Sequence, residues 1–173
     1  GLDSLQGHAV SIDFDQQRMA VTKSRRGGLV GSDPADIVVQ AKSLHGQLVV
    51  TDAFYRGVRV RVVLDTGSVV SMGNLALRAK VARRQSAFRQ ITLSSVTGDT
   101  LTGAYAQIGE VSMGAVIFQN LPVAFADAAP FRQLGLNDKP AILLGMDALK
   151  QFRRVDIDFA SRQVRLALPR TPR

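Results

Sequence analysis

The chain of 173 residues has no cysteine and no tryptophan. Without thiols there is neither a disulfide framework nor a thiolate metal site. This leaves the redox compartment open, because an exported protein can also lack cysteine. Two tyrosines and no tryptophan leave little material for stacking nucleic-acid bases. The two histidines, His8 and His45, stand alone, with no second histidine or carboxylate at ligand spacing, so neither a metal nor a cofactor is expected. No run of 18 apolar residues occurs, and nothing in this segment is expected to span a membrane. The sequence opens on Gly1 without an initiator methionine, which reads as a start lying further upstream, together with any signal peptide or anchor.

What is present suits one ordinary core plus an appendage: 46% of the residues are apolar and the mean hydropathy is near zero. The net charge of +8 is spread over Lys23-Ser24-Arg25-Arg26, residues 78–89, Arg153-Arg154 and the tail from Arg162. Charge scattered over several elements reads as a solvated basic face, and no nucleic-acid partner is expected. Binding to nucleic acid or an anionic surface would instead fall steeply between low and physiological salt and ignore any single carboxylate.

The chemistry centres on Asp65-Thr66-Gly67-Ser68, which follows the apolar run Val60-Arg61-Val62-Val63-Leu64. Four fixed residues recur by chance in roughly one chain in a thousand of this length. Carboxylate-driven hydrolysis needs two carboxyls in contact: one deprotonates a water and the other protonates or polarises the scissile carbonyl. The two cannot both ionise cheaply, so they share a proton and titrate as a pair. No second Asp-Thr-Gly follows, so this chain supplies one carboxylate of such a pair. Gly67 is expected to let its N–H approach the carboxylate where a side chain would obstruct, and the Ser68 hydroxyl to donate to the outer oxygen of Asp65. The Thr66 hydroxyl is able to bond across to a facing loop.

The two ends of the chain echo each other. Gly1-Leu2-Asp3-Ser4-Leu5 matches Gly145-Met146-Asp147-Ala148-Leu149, and Ile12-Asp13-Phe14 matches Ile157-Asp158-Phe159 with a one-residue change of register. A polar turn and a further apolar strand follow each match, at 18–22 and 163–168. Duplication predicts that residues 1–23 are the C-terminal remnant of an upstream lobe. Residues 24–36, rich in Gly, Ser, Pro and charge, read as a linker, 37–169 as the intact lobe and 170–173 as a basic tail. Within the lobe, 48–51 and 58–64 read as strands joined by Tyr55-Arg56-Gly57. Val58, Val60, Val62 and Leu64 share one face of the second strand, Arg59 and Arg61 the other. Residues 74–81 and 146–152 read as short helices. Residues 91–95, 101–113, 116–118, 121–126, 142–144, 155–159 and 163–168 read as extended, giving a mostly β protein.

Three elements together resemble the retropepsin-like aspartic proteases, in particular the bacterial two-lobed relatives of the pepsin and retroviral families. They are the strand into Asp65-Thr66-Gly67-Ser68, the segment Ser95-Val96-Thr97-Gly98-Asp99, and Ile142-Leu143-Leu144-Gly145-Met146-Asp147-Ala148-Leu149. The resemblance covers about residues 47–168. It implies an acid-protease barrel lobe with one or two short helices and an aspartic endopeptidase acting on a peptide or protein. Asp65 would be the catalytic aspartate, Thr66 the residue clamping two lobes, and Val96, Thr97, Gly98 and Asp99 the tip of a flap that excludes water. The last element would be an apolar-apolar-Gly segment threading beside the catalytic loop. Met72, Ile117 and Leu144 read as core rather than subsite, and Tyr105 as either a flap aromatic or an ordinary strand residue. A single lobe must pair with an upstream repeat or with a second copy of itself, and the internal echo favours the first. The alternative is a catalytically silent protease-like module that binds peptides or dimerises. The resemblance also implies export, to the periplasm.

Overall fold

The computed structural model describes residues 5–24, 33, 35–84, 87–94 and 100–170. In chain order the strands are β1 (His8–Asp13), β2 (Arg18–Lys23), β3 (Ile37–Gln40), β4 (Lys42–Leu44), β5 (Gln47–Tyr55), β6 (Val58–Leu64) and β7 (Met72–Gly73), followed by helix α1 (Leu75–Ala82). Next come β8 (Arg89–Ser94), β9 (Thr100–Ile108), β10 (Val111–Met113), β11 (Val116–Phe118), β12 (Leu121–Phe125) and helix α2 (Ala129–Gln133). The chain closes with β13 (Ala141–Leu144), α3 (Met146–Leu149), β14 (Arg154–Asp158) and β15 (Gln163–Ala167).

The larger sheet has the order β11-β10-β5-β6-β13-β7-β12-β9-β8, with β4 pairing to β5. Its centre is formed by residues far apart in sequence. β6 pairs antiparallel with β5 on one side and parallel with β13 on the other, Leu144 standing opposite Leu64. β7 then pairs antiparallel with the far edge of β13. The late strand β13 therefore threads between two strands that flank the Asp65 loop. The β5–β6 hairpin is closed by Arg56 and Gly57, both at positive φ (45° and 81°), the conformation that twists with the strands it joins.

The smaller sheet has the order β2-β1-β14-β15-β3. Val39, Val155, Ile157, Val164 and Leu166 turn from it into the main core, where they join Val60, Val62, Leu64 and Phe125 of the larger sheet. A second cluster gathers Val49, Val63 and Leu143 beneath Phe131, Leu134 and Leu136 of the α2 region. β6 is thus apolar on one face at its start, as its alternation predicts, and buried on both faces at its end, where Val62, Val63 and Leu64 are all buried. Two-sided burial fixes the strand where it delivers Asp65.

The mostly β lobe and the α1 helix follow the sequence reading, with α1 capped by Asn74. Three differences have local causes. The extended stretch 101–113 is two strands, because Glu110 takes a positive φ (41°) and turns the chain between β9 and β10. The last helix stops at Leu149 rather than 152. Ile117 is not core: β11 is an edge strand, and its burial alternates to leave Ile117 exposed between buried Val116 and Phe118. Leu144 is core as expected, and Met72 is half-buried against the second cluster. Tyr105 is a half-buried residue of β9, opposite Arg89 and Ala124.

Candidate active site

Asp65 leaves the end of β6 with its N–H donating to the Leu144 carbonyl at 3.0 Å, so the parallel β6–β13 ladder extends onto the aspartate itself. Its side chain is half-buried, and its Oδ1 accepts the Gly67 N–H at 3.1 Å. The Ser68 N–H closes the turn on the Asp65 carbonyl at 3.3 Å. The Ser68 hydroxyl does not donate to Asp65; it donates to the Val70 carbonyl at 2.8 Å and stiffens the outgoing half of the loop. Gly67 has no positive φ, and an added Cβ would meet only Asp65 Oδ1, at the ordinary contact distance of 3.4 Å. The lobe alone would tolerate a side chain at position 67. Thr66, Gly67 and Val69 are exposed, and the Thr66 hydroxyl has no hydrogen-bond partner among the described residues.

The far side of the loop is locked to the segment after β13. Met146 and Asp147 donate their N–H groups to the Ser68 and Val69 carbonyls at 2.8 and 3.1 Å. Ser71 is fully buried and fully used: its hydroxyl donates to Asp147 Oδ1 (2.6 Å) and accepts the Gly145 N–H (3.0 Å), while its own N–H donates to Asp147 Oδ2 (3.0 Å). Gly145 fits because it has no side chain; a Cβ there would lie 2.7 Å from the Val70 carbonyl carbon and 3.0 Å from the Ser68 oxygen. Asn74 performs the same service one turn on. Its Oδ1 accepts from Leu77 and Ala141, and its Nδ2 donates to the Leu136 and Lys139 carbonyls, so one amide caps α1 and anchors both ends of the entry to β13.

Of the residues singled out from sequence, Asp65, Thr66, Gly67 and Ser68 form this loop, and 142–149 form the segment that threads beside it. Val96, Thr97, Gly98 and Asp99 lie outside the described residues; the strands on either side, β8 and β9, pair with Ser94 opposite Thr100. Ser71 and Asn74 as hubs were not anticipated. Their signal is a polar residue set within an apolar run at each end of Ser71-Met72-Gly73-Asn74, where burial demands a full set of partners. Among the described residues no group of three or more His, Cys, Asp or Glu could hold a metal ion, and no helix is long and apolar enough to cross a membrane.

These features agree with comparisons to known proteins. Among solved structures the chain is similar to a retropepsin-like aspartic protease from Rickettsia conorii, with 19% identity and a TM-score of 0.54 over 76% of this chain and 89% of that one. No curated protein matches the chain. The family model described as aspartyl protease matches residues 51–148, which run from β5 through the Asp65 loop to α3. With that match spanning more than half of its length and a retropepsin-like fold around it, the chain belongs to the aspartyl protease family.

Proposed function

We propose that the chain is a catalytic lobe of an aspartic endopeptidase, in which Asp65 supplies one carboxylate of a pair and a second lobe the other. The observation that carries this reading is the Asp65 loop: a carboxylate fixed by the β6–β13 ladder and the Gly67 N–H, beside exposed Thr66, Gly67 and Val69. A facing loop of the same kind would bring two carboxyls into contact. One, ionised, takes a proton from the water between them as its oxygen attacks the scissile carbonyl, while the other, protonated, donates to the carbonyl oxygen. Collapse of the tetrahedral intermediate returns a proton to the leaving amine. Thr66 is positioned to bond to the facing loop. Room at Gly67, unneeded by its own lobe, is then reserved for that loop, and residues 96–99 would cover the substrate.

The test is cleavage of a complex peptide mixture by the chain, paired with its second lobe, and by the Asp65→Asn variant between about pH 3 and pH 8, with products read by mass spectrometry. The expected result is hydrolysis by the wild type that falls at least a thousandfold in a variant with unchanged folding. Retained cleavage in Asp65→Asn would sink the reading.

A further inference from the structure

By alternation along β6, Arg59 and Arg61 lie on the same face of the larger sheet as Val63. The α2 region covers that face only in part: Val63 is buried beneath Phe131, Leu134 and Leu136, whereas Arg61 is half-buried and Arg59 exposed. Across the sheet from there, Arg59 stands opposite Phe54, Phe54 opposite Ser112, and Ser112 opposite Ile117. Directly opposed residues share a face, so these four form one row over β6, β5, β10 and β11. The row is open to solvent, with Phe54 and Ser112 half-buried and Ile117 55% exposed.

A β-bulge brings the two arginines together at the head of this row. The β5–β6 register passes from Val50 opposite Val62 to Ala53 opposite Val60, so Thr51 and Asp52 share Arg61 as their one opposing residue. Both arginines donate to the Thr51 carbonyl through Nη1, Arg59 at 3.3 Å and Arg61 at 3.4 Å. The Arg59 guanidinium also lies over the Phe54 ring, 5.2 Å from its centroid. One carbonyl oxygen thus holds two cations side by side, and among the described residues neither arginine forms an ion pair, with Asp52 or any other carboxylate. Each guanidinium carries five N–H donors, so most of the donors of the pair are left to an incoming acceptor.

We infer that this row is a docking site for an acidic segment of a partner protein, whose carboxylate bridges Arg59 and Arg61 while an apolar side chain rests on Ile117. A carboxylate fits the planar fork of a guanidinium and supplies the charge that the pair lacks. Three strand spacings separate Arg59 from Ile117, about 14 Å, a distance that an extended segment crosses in about four residues. Residues four apart in an extended chain point the same way, so the segment carries Glu or Asp and an apolar residue at that separation. Nucleic acid suits the row poorly: the Phe54 face on which a base would stack is taken by Arg59, and a phosphate makes no use of Ile117. Docking here uses no catalytic group and does not depend on Asp65.

The test titrates the isotope-labelled chain with an acetylated, amidated peptide Ser-Glu-Ser-Thr-Ser-Leu-Ser, read by amide chemical shifts. Saturable shifts at Phe54, Ser112 and Ile117 are expected. Replacing the glutamate by glutamine, the leucine by serine, or moving the leucine next to the glutamate is expected to raise Kd at least fivefold. In the protein, Arg59→Gln with Arg61→Gln should raise Kd at least tenfold and Ile117→Ser at least threefold. The charge-matched control, Arg83→Gln with Arg84→Gln at the exposed end of α1, should change it less than twofold. No saturable shift at the row, or equal losses in the control, would overturn the inference. So would a single-stranded oligonucleotide binding through Arg59 and Arg61 where the peptide does not. Should the double variant not fold, the peptide series on the natural chain decides, since indifference to glutamate, leucine and their spacing refutes the site. No readout involves cleavage, so the outcome is independent of the Asp65→Asn experiment.

Discussion

Two glycines of the site should respond unequally to a single methyl group. Gly145 has ordinary extended dihedrals (φ −85°, ψ −176°), so alanine is conformationally allowed there and would by itself stabilise by about 0.4–1 kcal/mol through the unfolded state. Its Cβ, however, would stand 2.7 and 2.8 Å from the Val70 carbonyl carbon and oxygen and 3.0 Å from the Ser68 oxygen. All three are backbone atoms, held in turn by Met146 and Asp147, so relief means displacing the Asp65 loop from α3. Overpacking of this kind costs about 1–3 kcal/mol. The expected net for Gly145→Ala is a loss of about 1–2 kcal/mol, which for a domain of this size lowers Tm by about 2–8 °C. Gly67→Ala, whose Cβ meets one side-chain oxygen at 3.4 Å, should stay within about 0.5 kcal/mol of wild type. Urea and thermal unfolding of the three proteins measure both. Equal destabilisation of the two variants, or a Gly145→Ala protein as stable as wild type, would refute the packing argument.

Ser71→Ala removes the hydroxyl that accepts the Gly145 N–H and donates to Asp147; a loss of about 2–3 kcal/mol is expected in chemical denaturation. The backbone bond from Ser71 to Asp147 should survive. Asn74→Ala removes four hydrogen bonds of α1 and the β13 entry at once and should cost about 3 kcal/mol or more. Asn74→Asp keeps both accepted bonds and loses both donated ones, so a variant as stable as wild type would show that the Leu136 and Lys139 carbonyls need no donor.

The parts of the fold most legible in the sequence were those where one residue type has one physical use. The valine alternation of β6 and the Arg56-Gly57 turn each specify local geometry, and each is found where its pattern puts it. Less legible were features decided by what lies opposite. Ile117 looks like its buried neighbours, and only its place on an edge strand exposes it. The Ser68 hydroxyl was expected on Asp65 and took the Val70 carbonyl. The two-residue strand β7 carries no pattern of its own and exists because β13 and β12 flank it. In the site, Asp65 announced itself by its strand and its turn, whereas Ser71 became visible only once Asp147, 76 positions on, was brought to it.

That separation has a consequence for how the protein comes into being. The residues that shape the Asp65 loop are synthesised long after it: β13 must enter between β6 and β7 before the aspartate has its ladder or the loop its anchors. Closing so long a segment carries an entropic cost that local contacts do not offset, which places this step late in folding. A nascent or truncated chain ending before β13 therefore carries the Asp-Thr-Gly motif as sequence without the geometry that gives it chemistry.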